Sequence, residues 1–393
     1  IKAIKNNGLV TKPQIARITK LTSGTVHNFI NELIAKGIVV EEGIADSNGG
    51  RKAILYKFNA SIYYIVGITL GLKSISAGVF DLNLNMVVRV ESKYDLVDAN
   101  VEEGIRFITG LIENLIVKSN IDKKKIIGLG ITVPGPVNYE KGLIYELTNV
   151  PKWKNIPLKD IMEKELGIST IVDKDNNGSV LSLKWLDNTR EVKNVVYFST
   201  SDGIGTGILI NGSVYRGNHC VAGEIGHISI DLNGEKCNCG NMGCIELVAA
   251  NIGIVRKVKR LINEGCNTLI TELCNGNLDE INIDTIMQAA KKMDTFAKEV
   301  LISASRYVSI CIGNVIKTYD PDEIVIDCKW LKEFDDIYCN VMNDVYESTT
   351  LIRRDDVVIT LNTIKDLHII GAATLVIDYQ FKSHENCKLL YLL

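Results

Sequence analysis

The chain has 393 residues, a net charge of −3 and 46% hydrophobic residues, which supports more than one buried core and excludes a disordered or collagen-like chain. No apolar run reaches the ~20 residues that cross a bilayer, and no apolar leader with a small-residue cleavage site opens it. A cytoplasmic protein without membrane partners is therefore expected, with a few residues missing ahead of Ile1 because no methionine begins the chain. The ten cysteines lack regular spacing outside one cluster and read as reduced thiols. Of the 44 Lys/Arg and 47 acids, residues 1–60 hold nine and four, a surplus of five; the remaining 35 and 43 leave a deficit of eight. A basic head on an acidic body points to an anionic partner for the head alone.

Within the head, Thr11-Lys12-Pro13-Gln14 offers a Thr cap with Gln three residues later and Pro in the first turn, which predicts a helix to about Thr19. Thr22 or Ser23 caps a second helix, where Val26, Ile30, Leu33 and Ile34 recur at helical spacing and Gly37 supplies the stop. Residues 38–42 and 53–58 are strand-like and flank a polar loop with Asn48-Gly49-Gly50-Arg51-Lys52. Helix, turn, helix and hairpin form the plan of a winged helix-turn-helix, although small interaction modules share that outline. In that plan the second helix enters the major groove of operator DNA, presenting Ser23, Thr25, His27, Asn28 and Asn31. Arg51 and Lys52 on the wing reach phosphates or the minor groove.

From Tyr64 the pattern becomes buried strands with intervening helices, an α/β body. Residues 65–71 and 75–81 read as a hairpin, 86–92 as a third strand and 101–119 as a helix. Residues 126–133 form a strand ending in Pro134-Gly135-Pro136, whose glycine permits close backbone approach. A second α/β half begins near residue 192, and its last strand is expected at 323–327. The stretch 267–282 is polar and poorly patterned. Between them lies His227 followed by Cys237, Cys239 and Cys244 with glycines interspersed. Four such ligands in about twenty residues predict a closed Cys3His zinc site, structural because no coordination position stays open for water.

Taken together, these residues resemble the ROK family of sugar kinases and sugar-responsive repressors, and the winged-helix head resembles the repressor branch, xylose-repressor-like. The resemblance rests on Gly128-Leu129-Gly130-Ile131-Thr132-Val133-Pro134-Gly135-Pro136, Asn149 with Trp153, Asp175 with Asn177, Gly203-Ile204-Gly205, Gly223-Glu224-Ile225-Gly226-His227, the zinc cysteines, Glu246 and Gly371-Ala372-Ala373. It implies an actin-like (ribonuclease H-like) α/β fold of two lobes with a sugar in the cleft between them. The implied domains are a head at 1–60, a first lobe at 61–190 and a second lobe at 191–393 carrying the zinc loop 226–246. Asp175 matches the general base of the kinases. Glu224, His227 and Glu246 match residues that hold ring hydroxyls, with Asn149 and the Gly135 backbone as further contacts. His227 would then serve zinc through one ring nitrogen and sugar through the other. Each also has a structural reading: Asp175 and Asn149 as turn formers, Glu224 as a solvated acid, Glu246 as a first-turn acid and Gly135 as a turn residue.

Departures from the family separate repressor from kinase. Where kinases carry Asp-x-Gly-Gly-Thr, this chain has Thr69-Leu70-Gly71-Leu72-Lys73, and the bulky Leu blocks close approach of phosphates. Thr-Gly-x-Gly has become Asp202-Gly203-Ile204-Gly205, placing a like charge beside a polyphosphate. Paired glycines near the end have become Asp327-Cys328. The expected protein is a sugar-responsive transcriptional repressor of carbohydrate genes without kinase activity, with the alternative of an active ATP-dependent sugar kinase bearing a DNA-binding head. The resemblance further implies a homodimer or higher homo-oligomer that leaves a palindromic operator when sugar binds. Lys174 stands where the family usually has Asn; it reads either as a solvent-facing partner of a neighbouring acid or as a cation selecting an anionic sugar.

Overall fold

A short helix without a strong sequence signal, α1 (Lys2–Asn7), opens the chain. It is followed by α2 (Lys12–Thr19), whose start is the expected reciprocal cap: the Gln14 N–H donates to Thr11 Oγ1, and Gln14 Oε1 accepts from the Thr11 N–H at 2.7 Å. Helix α3 (Ser23–Ala35) is capped by Thr22, which accepts from the Thr25 N–H, and it buries Val26, Ile30 and Leu33 one turn apart. The wing strands β1 (Val39–Ile44) and β2 (Ile54–Phe58) pair antiparallel with Val39 opposite Phe58. The computed structural model describes residues 1–45, 53–147, 150–186, 193–349 and 356–382, so Arg51 and Lys52 lie outside the described residues.

Next come β3 (Tyr64–Leu70), β4 (Ser74–Asp81) and β5 (Met86–Lys93), an antiparallel meander, then α4 (Val101–Ser119) and β6 (Ile126–Val133), which joins β3 in parallel. A small sheet follows, of β7 (Val137–Asn138), β8 (Leu143–Leu147) and β9 (Val150–Ile156), and then α5 (Leu158–Leu166), β10 (Thr170–Lys174) and α6 (Asp175–Leu186). The main sheet runs β10-β6-β3-β4-β5. Helix α4 begins with a cap between Asn100 and Glu103 and lays Ile108, Ile112 and Leu115 into the core with Trp153. The head is not a loose appendage: Ile4, Ile30, Ile38 and Phe58 belong to one apolar cluster with Phe80, Leu82 and Ile377 of the lobe.

Another five-stranded sheet belongs to the rest of the chain, with β11 (Val195–Thr200), β12 (Ile204–Ile210) and β13 (Ser213–Val214) antiparallel in sequence. Helices α7 (Glu246–Ala249), α8 (Asn251–Asn263), α9 (Leu269–Leu273), α10 (Ile283–Lys291) and α11 (Thr295–Tyr319) lead to β14 (Glu323–Cys328), parallel to β11. Helix α11 is long and apolar enough to cross a membrane by length and composition, but most of it is buried inside this core, which explains its apolarity. Within the stretch expected to lack pattern, α9 is capped by Thr268 and buries Ile270. After α12 (Lys329–Glu333) and α13 (Asp335–Ser348) comes β15 (Val358–Leu361), so β14 is not the last strand: β15 extends the sheet in parallel beyond it.

The chain then turns back. Helix α14 (Leu367–Lys382) packs on β3 and β6, so contacts group the chain as Ile1–Glu191 with the segment from Asp366, and Val192–Lys365. This departs from a second lobe running unbroken to residue 393. The cause is a glycine pair on the sheet: a Cβ on Gly130 would sit 1.8 Å from the Ala372 carbonyl oxygen and one on Gly67 2.7 Å from that of Ile369. Only glycine lets the α14 backbone lie this close to the strands.

Candidate metal centre and flanking polar residues

The loop between β13 and α8 brings the four expected ligands together. One donor atom from each of His227, Cys237, Cys239 and Cys244 lies within 4.8 Å of all the others. Cys239 Sγ and Cys244 Sγ are 3.6 Å apart, and Cys237 Sγ is 3.7 Å from His227 Nδ1. A tetrahedron with Zn–S bonds of about 2.3 Å has edges of about 3.7 Å, so the donor set fits a zinc ion.

Backbone geometry holds this set. Cys237 N–H donates to Asn241 O and Gly240 N–H to Cys237 O, closing a tight turn that Gly240 completes at φ +95°. The Asn241 side chain donates to the His227 carbonyl at 3.0 Å and ties the two arms of the loop together. Two thiols are driven apart in acidity. Burial would raise Cys239, but the Asn241 N–H and hydrogen bonds with Cys237 and Cys244 hold it below its ordinary value, while burial pushes Cys244 up to about 12. Three thiolates cannot share this space without a compensating cation.

Glu246, first residue of α7, follows Cys244 closely; its Oε2 accepts the Ile204 N–H at 3.1 Å and lies against Gly203. Glu224 precedes the single turn Ile225–His227, and its carbonyl accepts the His227 N–H. Both acids are half-buried. The two acids thus flank the cluster in sequence, Glu224 ahead of His227 and Glu246 behind Cys244.

Across the first unit, Asp175 opens α6, half-buried, with Oδ1 accepting the Asn176 N–H at 2.6 Å. Asn177 is structural, its Nδ2 donating to Asp173 Oδ1 at 2.9 Å. Gly135 is buried at φ +122°, a conformation that requires glycine. Lys174, the last residue of β10, does not face solvent: it is 3% exposed. Asn149 lies outside the described residues.

The positions that depart from the kinase pattern fall in different surroundings. Leu72 packs on the first-unit core, and the Gly71 N–H donates to Ser74 O in a closed hairpin turn. Asp202 is exposed. Asp327, next to last in β14, sits inside a network: Tyr197 Oη donates to Oδ2 at 2.6 Å, Asn362 Nδ2 donates to the same atom at 2.9 Å, and Lys332 pairs with Oδ1. Burial pushes this carboxyl up, but Lys332, Tyr197 and Asn362 outweigh it and hold the group below its ordinary value. Lys332 is five residues away, but Tyr197 and Asn362 are remote from Asp327 in the chain and carry no signal in the sequence.

On the head, Ser23, His27, Asn28 and Asn31 are exposed along α3, whereas Thr25 is half-buried with its hydroxyl bonded to Thr22. One residue was missed. Lys12 Nζ reaches His27 Nδ1 at 3.1 Å and Asn31 Oδ1 at 3.2 Å, adding a cation to this face. A lysine opening the first of two paired helices, the one that crosses the DNA backbone, was the available cue.

Comparison with known proteins follows the same division. A winged helix-turn-helix DNA-binding model matches residues 1–40. The chain is 28% identical to a xylose repressor of Caldicellulosiruptor bescii over 96% of its length and 94% of the relative. It is 27% identical to the DNA-binding transcriptional dual regulator NagC of Escherichia coli over 83% and 78%. A solved ROK family transcriptional regulator, a homologue of the E. coli MLC protein, superposes with a TM-score of 0.80 at 24% identity, covering 96% of this chain and 93% of the other. A ROK family glucokinase from Streptomyces griseus shares the fold at TM-score 0.69 and 22% identity, over 79% and 98%. With the ROK family model spanning residues 65–379 beneath a winged helix-turn-helix head, the chain belongs to the ROK family.

Proposed function

We propose that this protein is a sugar-responsive repressor of carbohydrate-metabolism genes, acting in the cytoplasm as a homodimer and lacking kinase activity. The observation that carries the reading is the exposed polar face of α3 on a winged-helix head built into the core of a ROK lobe. The names of the xylose repressor and NagC relatives support it and make D-xylose the first effector to try.

A structural zinc ion would be held by His227, Cys237, Cys239 and Cys244, and bound there it supplies rigidity and charge neutralisation, with no open position for water. The residues assigned to sugar hydroxyls are Glu224, His227 and Glu246, with Asp175, Asn149 and the Gly135 backbone as the further contacts that the family pattern implies. The Asp327 network supports loss of phosphoryl transfer, since a half-buried, paired carboxylate stands where the family's kinases have glycines that admit nucleotide.

A thermal-shift panel of neutral and phosphorylated monosaccharides, with and without Mg-ATP, tests the reading together with operator binding by anisotropy. The expected result is stabilisation by one sugar, release of DNA by that sugar and no effect of ATP. ADP release on adding sugar would establish the kinase instead.

A further inference from the structure

Helix α6 begins at Asp175 and ends at Leu186, a rod of about 18 Å at 1.5 Å per residue. One end lies at the proposed effector residue. The other touches the DNA-binding head: Trp185, one residue from the C-terminus of α6, presents its ring to Lys5 Nζ of α1 at 5.5 Å from the centroid. Lys5 is only 9% exposed. Its ammonium is buried against an aromatic face with Asp81 as the nearby opposite charge, and burial lowers its pKa despite that carboxylate. A buried cation with so few partners tolerates little displacement of the ring beneath it.

Between its ends α6 is stitched to α14 at every turn. Ser179 Oγ bonds His368 Nδ1 at 3.0 Å and also donates to the Asp175 carbonyl at 3.0 Å. Ser182 Oγ bonds Thr374 Oγ1 at 3.1 Å, and Trp185 Nε1 donates to Asp378 Oδ1 at 3.1 Å. The two backbones touch where a Cβ on Gly371 would lie 2.7 Å from the Gly178 carbonyl carbon. A helix held this way moves as one piece, so a shift at Asp175 is delivered at Trp185. A backbone hydrogen bond between head and lobe, from the Leu82 N–H to the Ala60 carbonyl, leads to β4 and away from Asp175.

We propose that α6 transmits the effector state to the DNA-binding head and that the contact between Lys5 and Trp185 is its coupling point. This rests on the reading that Asp175 faces the sugar. Lys5 and Trp185 are positioning residues: neither contacts sugar or DNA, and removing them uncouples the two binding events.

The test uses the full chain, a labelled duplex selected from a random pool by the wild-type protein, and the sugar that stabilises the protein most in a panel beginning with D-xylose. For wild type, saturating sugar changes the duplex Kd by about tenfold or more, a coupling of ordinary size. In Trp185→Leu and Lys5→Met this ratio falls below about threefold, while sugar affinity without DNA and DNA affinity without sugar each stay within about threefold of wild type. The double variant loses no more than either single one, because both remove the same contact. Trp185→Phe retains most of the ratio, since a ring still faces Lys5 after the Asp378 hydrogen bond is lost. A purely structural clamp would lower thermal stability and leave the ratio intact. An unchanged ratio in both single variants, or loss of sugar binding itself, overturns the inference. If wild type shows no response to any sugar, the sensor reading falls first and the rod with it.

Discussion

Replacing Asp327 with alanine removes the acceptor from two buried donors. Tyr197 is 0% and Asn362 4% exposed, so neither turns readily to water, and weakening the hydrogen bonding of a buried donor costs about 1–3 kcal/mol. Asn362 Nδ2 keeps the Ile364 carbonyl at 3.3 Å, which puts its share at the low end. The ion pair adds little, because Lys332 is 33% exposed and screened by solvent. The expected loss is about 2–4 kcal/mol, or about 4–16 °C in Tm for a unit of this size. Asp327→Asn keeps one acceptor oxygen and loses about half as much.

The carboxyl lies below its ordinary value of 3.8 in the folded state, so its stabilisation is fully present above that value and disappears as pH falls through the depressed one. The wild-type advantage over Asp327→Asn is therefore level from about pH 8 to 5 and shrinks below about pH 4. Urea unfolding followed by tryptophan emission reads this directly, because Trp330 is 0% exposed on α12, immediately after Asp327-Cys328. A cost for Asp327→Ala below about 0.5 kcal/mol, the range of ordinary surface changes, would show that the network does not hold β14.

Cys239 is the exposed ligand, so Cys239→Ser removes a thiolate without opening a core cavity; metal analysis should show loss of zinc, and the sugar response should weaken before operator binding does. Asn28→Ala on the exposed face of α3 should cost about 1–3 kcal/mol on the selected operator and relax its base preference, as measured by anisotropy across single-base variants. Lys12→Ala should weaken all duplexes alike and lower the slope of log K against log salt by about one. Gly130→Ala places a methyl 1.8 Å from the Ala372 carbonyl oxygen and should cost about 3 kcal/mol or more in urea unfolding, since neither backbone can move aside.

Local features were legible because they are written in neighbouring residues. The Thr11 and Gln14 cap, the buried Val26, Ile30 and Leu33, and the ligands from His227 to Cys244 each complete themselves within a few turns of chain. What escaped depends on distant segments. That α14 returns to the first sheet is encoded in missing side chains such as those at Gly67, Gly128 and Gly130, which say that something packs close without saying what. The departure from the family's glycines at Asp327 is visible in the sequence, but Tyr197 and Asn362 reach it from β11 and from beyond β15, which no periodicity announces. Lys174, flanked by Asp173 and Asp175, had the charge pattern of a solvated strand end, yet it is 3% exposed in the fold.

The most direct measurement is one titration of a selected duplex on the full chain, with anisotropy recorded as D-xylose and then other sugars are added, and ADP followed in parallel with Mg-ATP present. A sugar sensor that has lost phosphoryl transfer gives a duplex Kd shifted by about tenfold or more with one sugar and no ADP. ADP formation with that sugar, or a duplex affinity indifferent to every sugar that binds, would contradict it.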